Sequence, residues 1–405
     1  MNCRNCNKKL KKFMTFGKMP IANAFVKNLK QREYFFELAP SYCPKCSLFQ
    51  LIKQPNPKKL FHKNYAFFAG TSLKMQNHFK NLATKLITNF KLKKDDLTVE
   101  IGNNDGGVVH YLSKRNFRNL GVDPSTNVAK SAKRKGVNIF NNFFNFQTAK
   151  LIKKKYGPVK VFVAQNTLAH IPNIDSVFKG VETILSKNGI MVTEDPYLPE
   201  MLRKCSYDQI YDEHVFIFSL TAIKNICEKH GLQVFDIEKL DTAGGSLRYF
   251  ICRNGSRKIK QKVLSQFKFE KKLNLLNPKT YKKFKNSCEK SKKSLLNILR
   301  KLKKDNKTIV GYGATSKSTT IFNYCGINSN LIDYITDTTP TKIDKFTPGT
   351  HIPVKSHEHF KKNYPDYALL LAWNHKNEIF KKEKYRYSTR GNWIIHLPKL
   401  RIIKK

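Results

Sequence analysis

Apolar positions along this chain follow two periods, and the alternation between them defines its parts. At 97–101 a short apolar run, Leu-Thr-Val-Glu-Ile, predicts a buried strand that stops at Gly102-Asn103-Asn104-Asp105-Gly106-Gly107. A helical pattern follows at 108–115. Next come a strand at 120–123, a helix reaching 135, strands at 137–140 and 159–165, a helix at 174–186 and a strand at 189–194. A helical stretch at 75–90 precedes them. Strand-helix alternation argues for a parallel, doubly wound sheet, which holds its ligand at the carboxyl ends of the strands. A second alternating unit opens at Thr308, with strands expected at 331–336, 367–372 and 393–395. Between the units, residues 258–304 are Lys-rich with Leu, Phe and Ile at helical spacing. That pattern reads as one or two amphipathic helices joining domains. At 405 residues the chain exceeds one ordinary domain, and the pattern divides it into 1–62, 63–255 and 256–405.

Cysteines mark the first part. Cys3-Arg4-Asn5-Cys6 and Cys43-Pro44-Lys45-Cys46 are paired knuckles. Together they supply four thiolates, a closed tetrahedral set for a structural Zn²⁺. Such a metal folds a segment too small to bury a core alone. Cys205, Cys227, Cys252, Cys288 and Cys325 are isolated and read as buried thiols in a reducing cytosol. The opening MNCRNCNKKL has no apolar run, and no stretch reaches the roughly 18 apolar residues of a membrane span. A cytoplasmic location without membrane partners is the expectation.

Charge changes this picture less than its size suggests. The chain has 76 Lys+Arg against 29 Asp+Glu, a formal +47, which raises nucleic-acid binding. Lys far outnumbers Arg, is used heavily alongside Asn, Ile and Phe, and occurs in every segment. This is the mark of AT-rich coding and a solvated basic surface rather than one groove. The same field suits an anionic, nucleotide-bearing substrate.

The candidate chemistry lies at strand ends and in one loop. Glycines at 102, 106 and 107 let the backbone approach a ligand closely. The acidic loop disfavours a pyrophosphate and favours a neutral or cationic ligand. Asp123 closes the second strand, where such folds place an acid on ribose hydroxyls. A nucleoside with a positive centre, S-adenosylmethionine (SAM), fits both, with a dinucleotide as the alternative. The fourth strand ends in Gln165-Asn166, with His170 just beyond. The stretch 206–219 places Tyr211, Glu213 and His214 together, flanked by Phe216 and Phe218. A phenol, a carboxylate and an imidazole can together hold a carbonyl oxygen, orient a base and take a proton. Tyr65, Phe67 and Phe68 precede a Gly-Thr-Ser turn. In the last part, Gly311, Gly313 and Lys317 resemble a phosphate loop, but Ser316 stands where such a loop needs glycine. A Ser/Thr-rich turn at a helix N-terminus can still hold a diphosphate. The turn-rich loop 346–353 suits a base or sugar.

In order, EIGNNDGG, GVDPS, AQNTLAHIPN, EDPYL, YDQIYDEHVFIFS and GGSLR, after the zinc knuckles, resemble the C-methyltransferases that act on nucleotide-linked deoxysugars. The resemblance covers nearly the whole chain. It implies an α/β fold: a class I SAM-dependent methyltransferase (Rossmann-like) domain, preceded by a small zinc-binding domain and followed by a second Rossmann-like domain. GGSLR becomes part of the closing antiparallel hairpin of the first sheet. The resemblance implies that His214 is the base, oriented by Glu213, with Tyr211, Tyr65 and His170 around the sugar. SAM would lie over Gly102, Asn104, Asp105, Gly106, Asp123, Gln165 and Asn166. The nucleotide end of the substrate would meet Gly311, Gly313, Lys317, Thr347, Gly349 and His351. Departures are Asn103-Asn104, Asp123 where Glu is common, Phe67-Phe68-Ala69 where a tyrosine and a serine are usual, and Ser318 where glycine is usual. Alternatives are an O- or N-methyltransferase on the same scaffold, a basic zinc-containing nucleic-acid-binding protein or RNA methyltransferase, and a catalytically dead assembly protein. The sequence leaves the oligomeric state open.

Overall fold

A computed structural model describes residues 1–63, 65, 67–383 and 391–404. The first part carries five short strands: β1 (Lys11–Lys12), β2 (Lys18–Pro20), β3 (Phe35–Glu37), β4 (Pro40–Tyr42) and β5 (Phe49–Leu51). The middle part carries β6 (Thr98–Ile101), β7 (Asn119–Val122), β8 (Ile139–Phe140), β9 (Val159–Gln165), β10 (Leu185–Pro196), β11 (Phe216–Ile217), β12 (Leu232–Leu240) and β13 (Ser246–Arg253). The last part adds β14 (Ile309–Tyr312), β15 (Ile335–Asp337), β16 (Val354–Ser356), β17 (Tyr367–Leu370), β18 (Asn392–Ile395) and β19 (Arg401–Ile403).

The central sheet has the order β12-β13-β10-β9-β6-β7-β8. Strands β6 to β10 run parallel, and the β12–β13 hairpin closes the edge antiparallel. Every residue of β6 and β7 is buried, as expected for strands covered on both faces. Phe79, Leu82 and Leu86 of helix Leu73–Asn89 pack on one face against Val161, Val163 and Phe250. Helices Phe146–Tyr156 and Ile174–Ile184 contribute Ile152, Val177, Phe178 and Val181 to the core on the other. The apolar pattern did not foresee helix Phe146–Tyr156. Only Thr148, Ala149 and Ile152 of it are buried, and it is started by an Asn145–Thr148 capping box.

The third sheet has the order β16-β15-β14-β17-β18-β19, parallel except for β19. Strand order reverses at β14, which places a crevice at the carboxyl ends of β14 and β17. The Lys-rich stretch forms helices Gln261–Leu273 and Pro278–Lys304. The first is not a free connector. Its buried Glu270 accepts hydrogen bonds from Tyr197 Oη (2.6 Å) and the backbone amides of Leu220 (2.7 Å) and Thr221 (2.8 Å), fixing it to the middle part.

The small first sheet does not close by itself. Its order is β1-β4-β5-β11, and β11 lies just after His214. Phe216 pairs with Gln50, and Ile217 with Phe49. The zinc-bearing segment therefore holds the strand on which the candidate base is hung. Among the described residues, no helix is long and apolar enough to cross a membrane.

Candidate active site

One cavity of about 1160 Å³ lies between the ends of the two parallel sheets, with Asn23 and residues 56–58 of the first part at its wall. Pockets for a single small ligand commonly span about 300–1,000 Å³, so this one has room for a cofactor and a second molecule. Tyr65, Gly102, Asn104, Asp123, Gln165, Asn166, His170, Tyr211, Glu213, His214, Gly313 and Lys317 all line it. These residues come from six distant stretches of chain.

At the end of the cavity nearest β6, Gly102 has φ +60°, and a Cβ there would run into the side chain of Thr167. The backbone N–H of Asn104 donates to Asp123 Oδ2 (3.0 Å), and that of Ser125 donates to Oδ1 (2.8 Å). Each carboxylate oxygen keeps a lone pair for another donor. Burial pushes the Asp123 carboxyl up to about 6. Both amide atoms of Gln165, and Asn166 Oδ1, are buried with no protein partner. Buried polar groups are rarely left this way, and here they face the cavity. The acid at the second strand end, the glycine loop beside it and the unpaired Gln165 fit a nucleoside cofactor such as SAM. For Gly102→Ala the Cβ is accommodated only if the loop shifts. We expect SAM affinity by calorimetry to fall about tenfold, the scale of a left-handed penalty, with the fold intact.

Glu100 was missed by sequence reasoning, although a charged residue inside the run Leu-Thr-Val-Glu-Ile is a signal. It lines the cavity behind Gly107 and accepts from the Val109 amide (2.9 Å). Burial raises its carboxyl to about 8, against the opposing bonds from the Val109 and Val108 amides. Asp105 and Gly106, by contrast, do not line the cavity. Asp105 accepts from the Gly70 amide (2.8 Å) and pairs with Lys135 Nζ (2.7 Å). Its charge is paired with a lysine at the end of helix Thr126–Arg134 rather than presented to a ligand. Gly106, at φ +148°, starts helix Gly107–Ser113.

Another wall of the cavity is built on the turn 211–214. His214 Nδ1 lies 2.7 Å from the carbonyl oxygen of Gln209. A carbonyl only accepts, so Nδ1 carries the proton and Nε2 the lone pair. Tyr211 Oη donates to that Nε2 at 2.9 Å. Burial, with His170 and Lys317 nearby, holds His214 well below the ordinary imidazole value. His170 stacks on Phe61, with centroids 5.7 Å apart, and lies 5.2 Å from the His214 ring. Its Nε2 is buried without a partner, and burial lowers it to about 4. Asp195 Oδ1 accepts from the Ala169 amide (3.1 Å) and pins that turn.

Glu213 does not orient His214, contrary to the expectation. Its Oε2 accepts from Tyr65 Oη (3.0 Å) and its Oε1 from Asn23 Nδ2 (2.8 Å). Neighbouring side chains in a turn diverge, and the histidine is oriented by a main-chain carbonyl that no motif records. Burial raises the Tyr65 and Tyr211 hydroxyls well above the usual phenol value, with Glu213 adding to it. Phe216 and Phe218 are fully buried behind the site.

On the third sheet, Lys317 opens helix Ser316–Cys325, capped by Thr315. It is half-buried, 5.4 Å over the Trp373 ring and 3.4 Å from Asn374 Oδ1. Burial lowers its pKa, while Asp208 opposes the shift. Asp337, also missed in the sequence, accepts from the amides of Ala314 and Thr339 (2.8 Å each). This repeats what Asp123 does in the first unit. Gly311 lies outside the cavity, its missing side chain making room for Ile335. Thr347, Gly349 and His351 are also outside. Glu33 of the first part accepts from the Gly349 amide (2.8 Å) and bonds His351 Nε2 (2.6 Å), while Thr347 Oγ1 accepts from the Ile352 amide (2.9 Å). The loop 346–353 fastens the first part to the third instead of gripping a ligand.

Away from the cavity, the sulfurs of Cys3, Cys6, Cys43 and Cys46 all lie within 4.8 Å of one another. The amides of Asn5 and Lys45 point at the sulfurs of Cys3 and Cys43 (3.4 Å each), and Gln50 Nε2 at that of Cys3 (3.2 Å). Four converging thiols with N–H donors around them fit a structural zinc.

Known proteins resemble this chain part by part. Residues 75–237 match the family described as methyltransferase domain, residues 241–398 the C-methyltransferase C-terminal domain, and residues 3–61 a zinc binding domain. The chain is 30% identical over 393 residues to the C-methyltransferase NovU of Streptomyces niveus, covering 96% of this chain and 93% of that protein. Among solved structures, it is similar to the magnesium protoporphyrin IX methyltransferase of Synechocystis PCC 6803 with bound SAM (12% identity, 44% of this chain and 79% of that one, TM-score 0.34). It is also similar to the PH0226 protein of Pyrococcus horikoshii OT3 (15% identity, 49% and 98%, TM-score 0.36). Fold and site together define a class I SAM-dependent methyltransferase with a zinc-binding domain. Within that class, the chain belongs to the C-methyltransferase family, which displaces the O- and N-methylating and nucleic-acid-binding alternatives.

Proposed function

We propose that the enzyme methylates a carbon next to the ketone of a nucleotide-diphosphate deoxysugar. The observation that carries this reading is the lone pair of His214 Nε2, presented by a neutral imidazole in a cavity that continues onto Lys317 at a helix N-terminus. Lys317 and the amides of the capped helix suit the diphosphate. The sugar then lies between the two sheets, against His214.

The proton on a carbon beside a ketone is weakly acidic, and His214 Nε2 removes it. Tyr211 leaves its bond to Nε2 and donates to the ketone oxygen as that oxygen becomes an enolate. The unpaired His170 Nε2 faces the same space and supplies a second donor when it carries the proton. Such donors are worth about 10²–10³ in rate. Tyr65, its proton committed to Glu213, offers lone pairs to a sugar hydroxyl. Bound SAM supplies an electrophilic methyl for the carbon nucleophile. The two sheets fix the geometry of both reactants, from which much of the remaining acceleration comes.

The test is mass spectrometry of a panel of nucleotide 4-keto deoxysugars incubated with enzyme and SAM. A gain of one CH₂ unit is expected on at least one sugar, and in D₂O without SAM the unmethylated sugar should exchange the ring proton beside its ketone for deuterium. If no keto sugar gains a methyl group while SAM still binds, the substrate assignment is lost.

A further inference from the structure

We propose that Asn23, delivered by the zinc-bearing segment, is a positioning residue for methyl transfer: it holds Glu213 and, through it, the Tyr65 hydroxyl. This rests on the reading of Tyr65 and Glu213 given above.

Asn23 lines the cavity and donates from Nδ2 to Glu213 Oε1 at 2.8 Å. Glu213 has one other side-chain donor, Tyr65, on its second oxygen. Each oxygen of a buried carboxylate is thus matched by one donor from a different part of the chain. The segment carrying Asn23 is fastened on both sides. The Ala22 amide donates to the Asp212 carboxylate (3.3 Å), and Thr319 Oγ1 donates to the Ala22 carbonyl (2.9 Å). Val26 and Phe346 exchange backbone hydrogen bonds (3.1 and 2.9 Å). Four anchors are more than a surface loop needs, and they aim one amide into the cavity.

The titratable and charged groups around Glu213 are Tyr65, Tyr211, Asp212 and Lys342. Burial raises the Glu213 carboxyl, and the bonds from Asn23 and Tyr65, with the Lys342 charge, oppose that rise. Loss of the Asn23 donor therefore moves Glu213 further toward the protonated form. A protonated Glu213 no longer accepts the Tyr65 hydroxyl proton on the same terms, and the phenol loses its fixed direction.

The experiment titrates Glu213 by infrared spectroscopy in full-length, zinc-loaded protein, with the carboxyl band assigned by its loss in Glu213→Gln. In Asn23→Ala the midpoint should rise by about one pH unit, the scale of one hydrogen bond to a charged group. Asn23→Asp, similar in size, should raise it further by placing a second carboxyl against the first. Turnover with a keto sugar that accepts methyl should show the acid limb of kcat/KM displaced in the same direction, with SAM affinity and zinc content unchanged. An unchanged midpoint in both variants overturns the proposal, whatever happens to the rate. Tyr65→Phe separates the two levels. If it turns over like wild type while the midpoint shifts, the role of Tyr65 fails and the Asn23–Glu213 coupling stands. If it is impaired but the midpoint does not move, Asn23 alone is wrong.

Discussion

Replacing His214 with alanine should lower kcat by about 10²–10⁴-fold, the usual worth of a positioned general base, while SAM binds with wild-type affinity. The two effects separate because of where the residue sits. Its ring contacts Tyr211, His170 and the Gln209 carbonyl, whereas the proposed cofactor contacts lie at Gly102, Asp123 and Gln165. The pH dependence carries a sign. A base works in its unprotonated form, so the rate falls as pH falls through its pKa. Burial holds His214 well below 6.5, so its protonation should not depress the rate near 6.5 but only at more acid pH. Single-turnover rates across that range, with calorimetry for SAM, make the check. Turnover near wild type in the variant would remove His214 from the mechanism.

Stripping the zinc, or replacing Cys43 with serine, should abolish methyl transfer as completely, although no cysteine approaches the cavity. Structural zinc sites contribute about 10–16 kcal/mol of apparent binding energy to small domains, more than a short-stranded sheet can replace. Loss of the metal frees β5, and with it the pairing of Gln50 and Phe49 to β11 that follows His214. It also releases Asn23. Hydrogen exchange should show residues 1–62 and 215–218 losing protection together, while the central sheet stays protected and SAM still binds. Metal analysis should first give about one zinc per chain. Metal-free protein with full turnover would show that the first segment is dispensable to the site.

Much of the architecture was legible because burial leaves a periodic trace. The strand at 159–165 has the predicted limits, the loop after β6 and the two amphipathic helices stand where the apolar spacing put them, and the hairpin around Gly244 stands where the family resemblance implied it. Helix Phe146–Tyr156 was not legible, since it buries too little to show a stripe. The cysteine knuckles were readable for a different reason: ligand chemistry restricts both residue type and spacing.

Functional geometry was only half readable. Tyr211, Glu213 and His214 were recognisable as a cluster, and His170 and Tyr65 joined them in space. Their partners were not recognisable. Glu213 serves Tyr65 rather than its neighbour, because consecutive side chains in the 211–214 turn point apart. The group that sets the His214 tautomer is the carbonyl of Gln209, and every residue has a carbonyl. Asp105 looked like a ligand group until Lys135 was seen beside it. Thr347, Gly349 and His351 looked like a grip until Glu33 was found on them. The sequence by itself determined the elements, the order of the two α/β units, the metal ligands and the residue types of the site, since each follows from local spacing and side-chain chemistry. Only the tertiary structure decided which of those groups face the cavity, which neutralise one another, and that a residue of the zinc segment reaches Glu213. Those outcomes depend on chain closure over long separations, which no local pattern encodes.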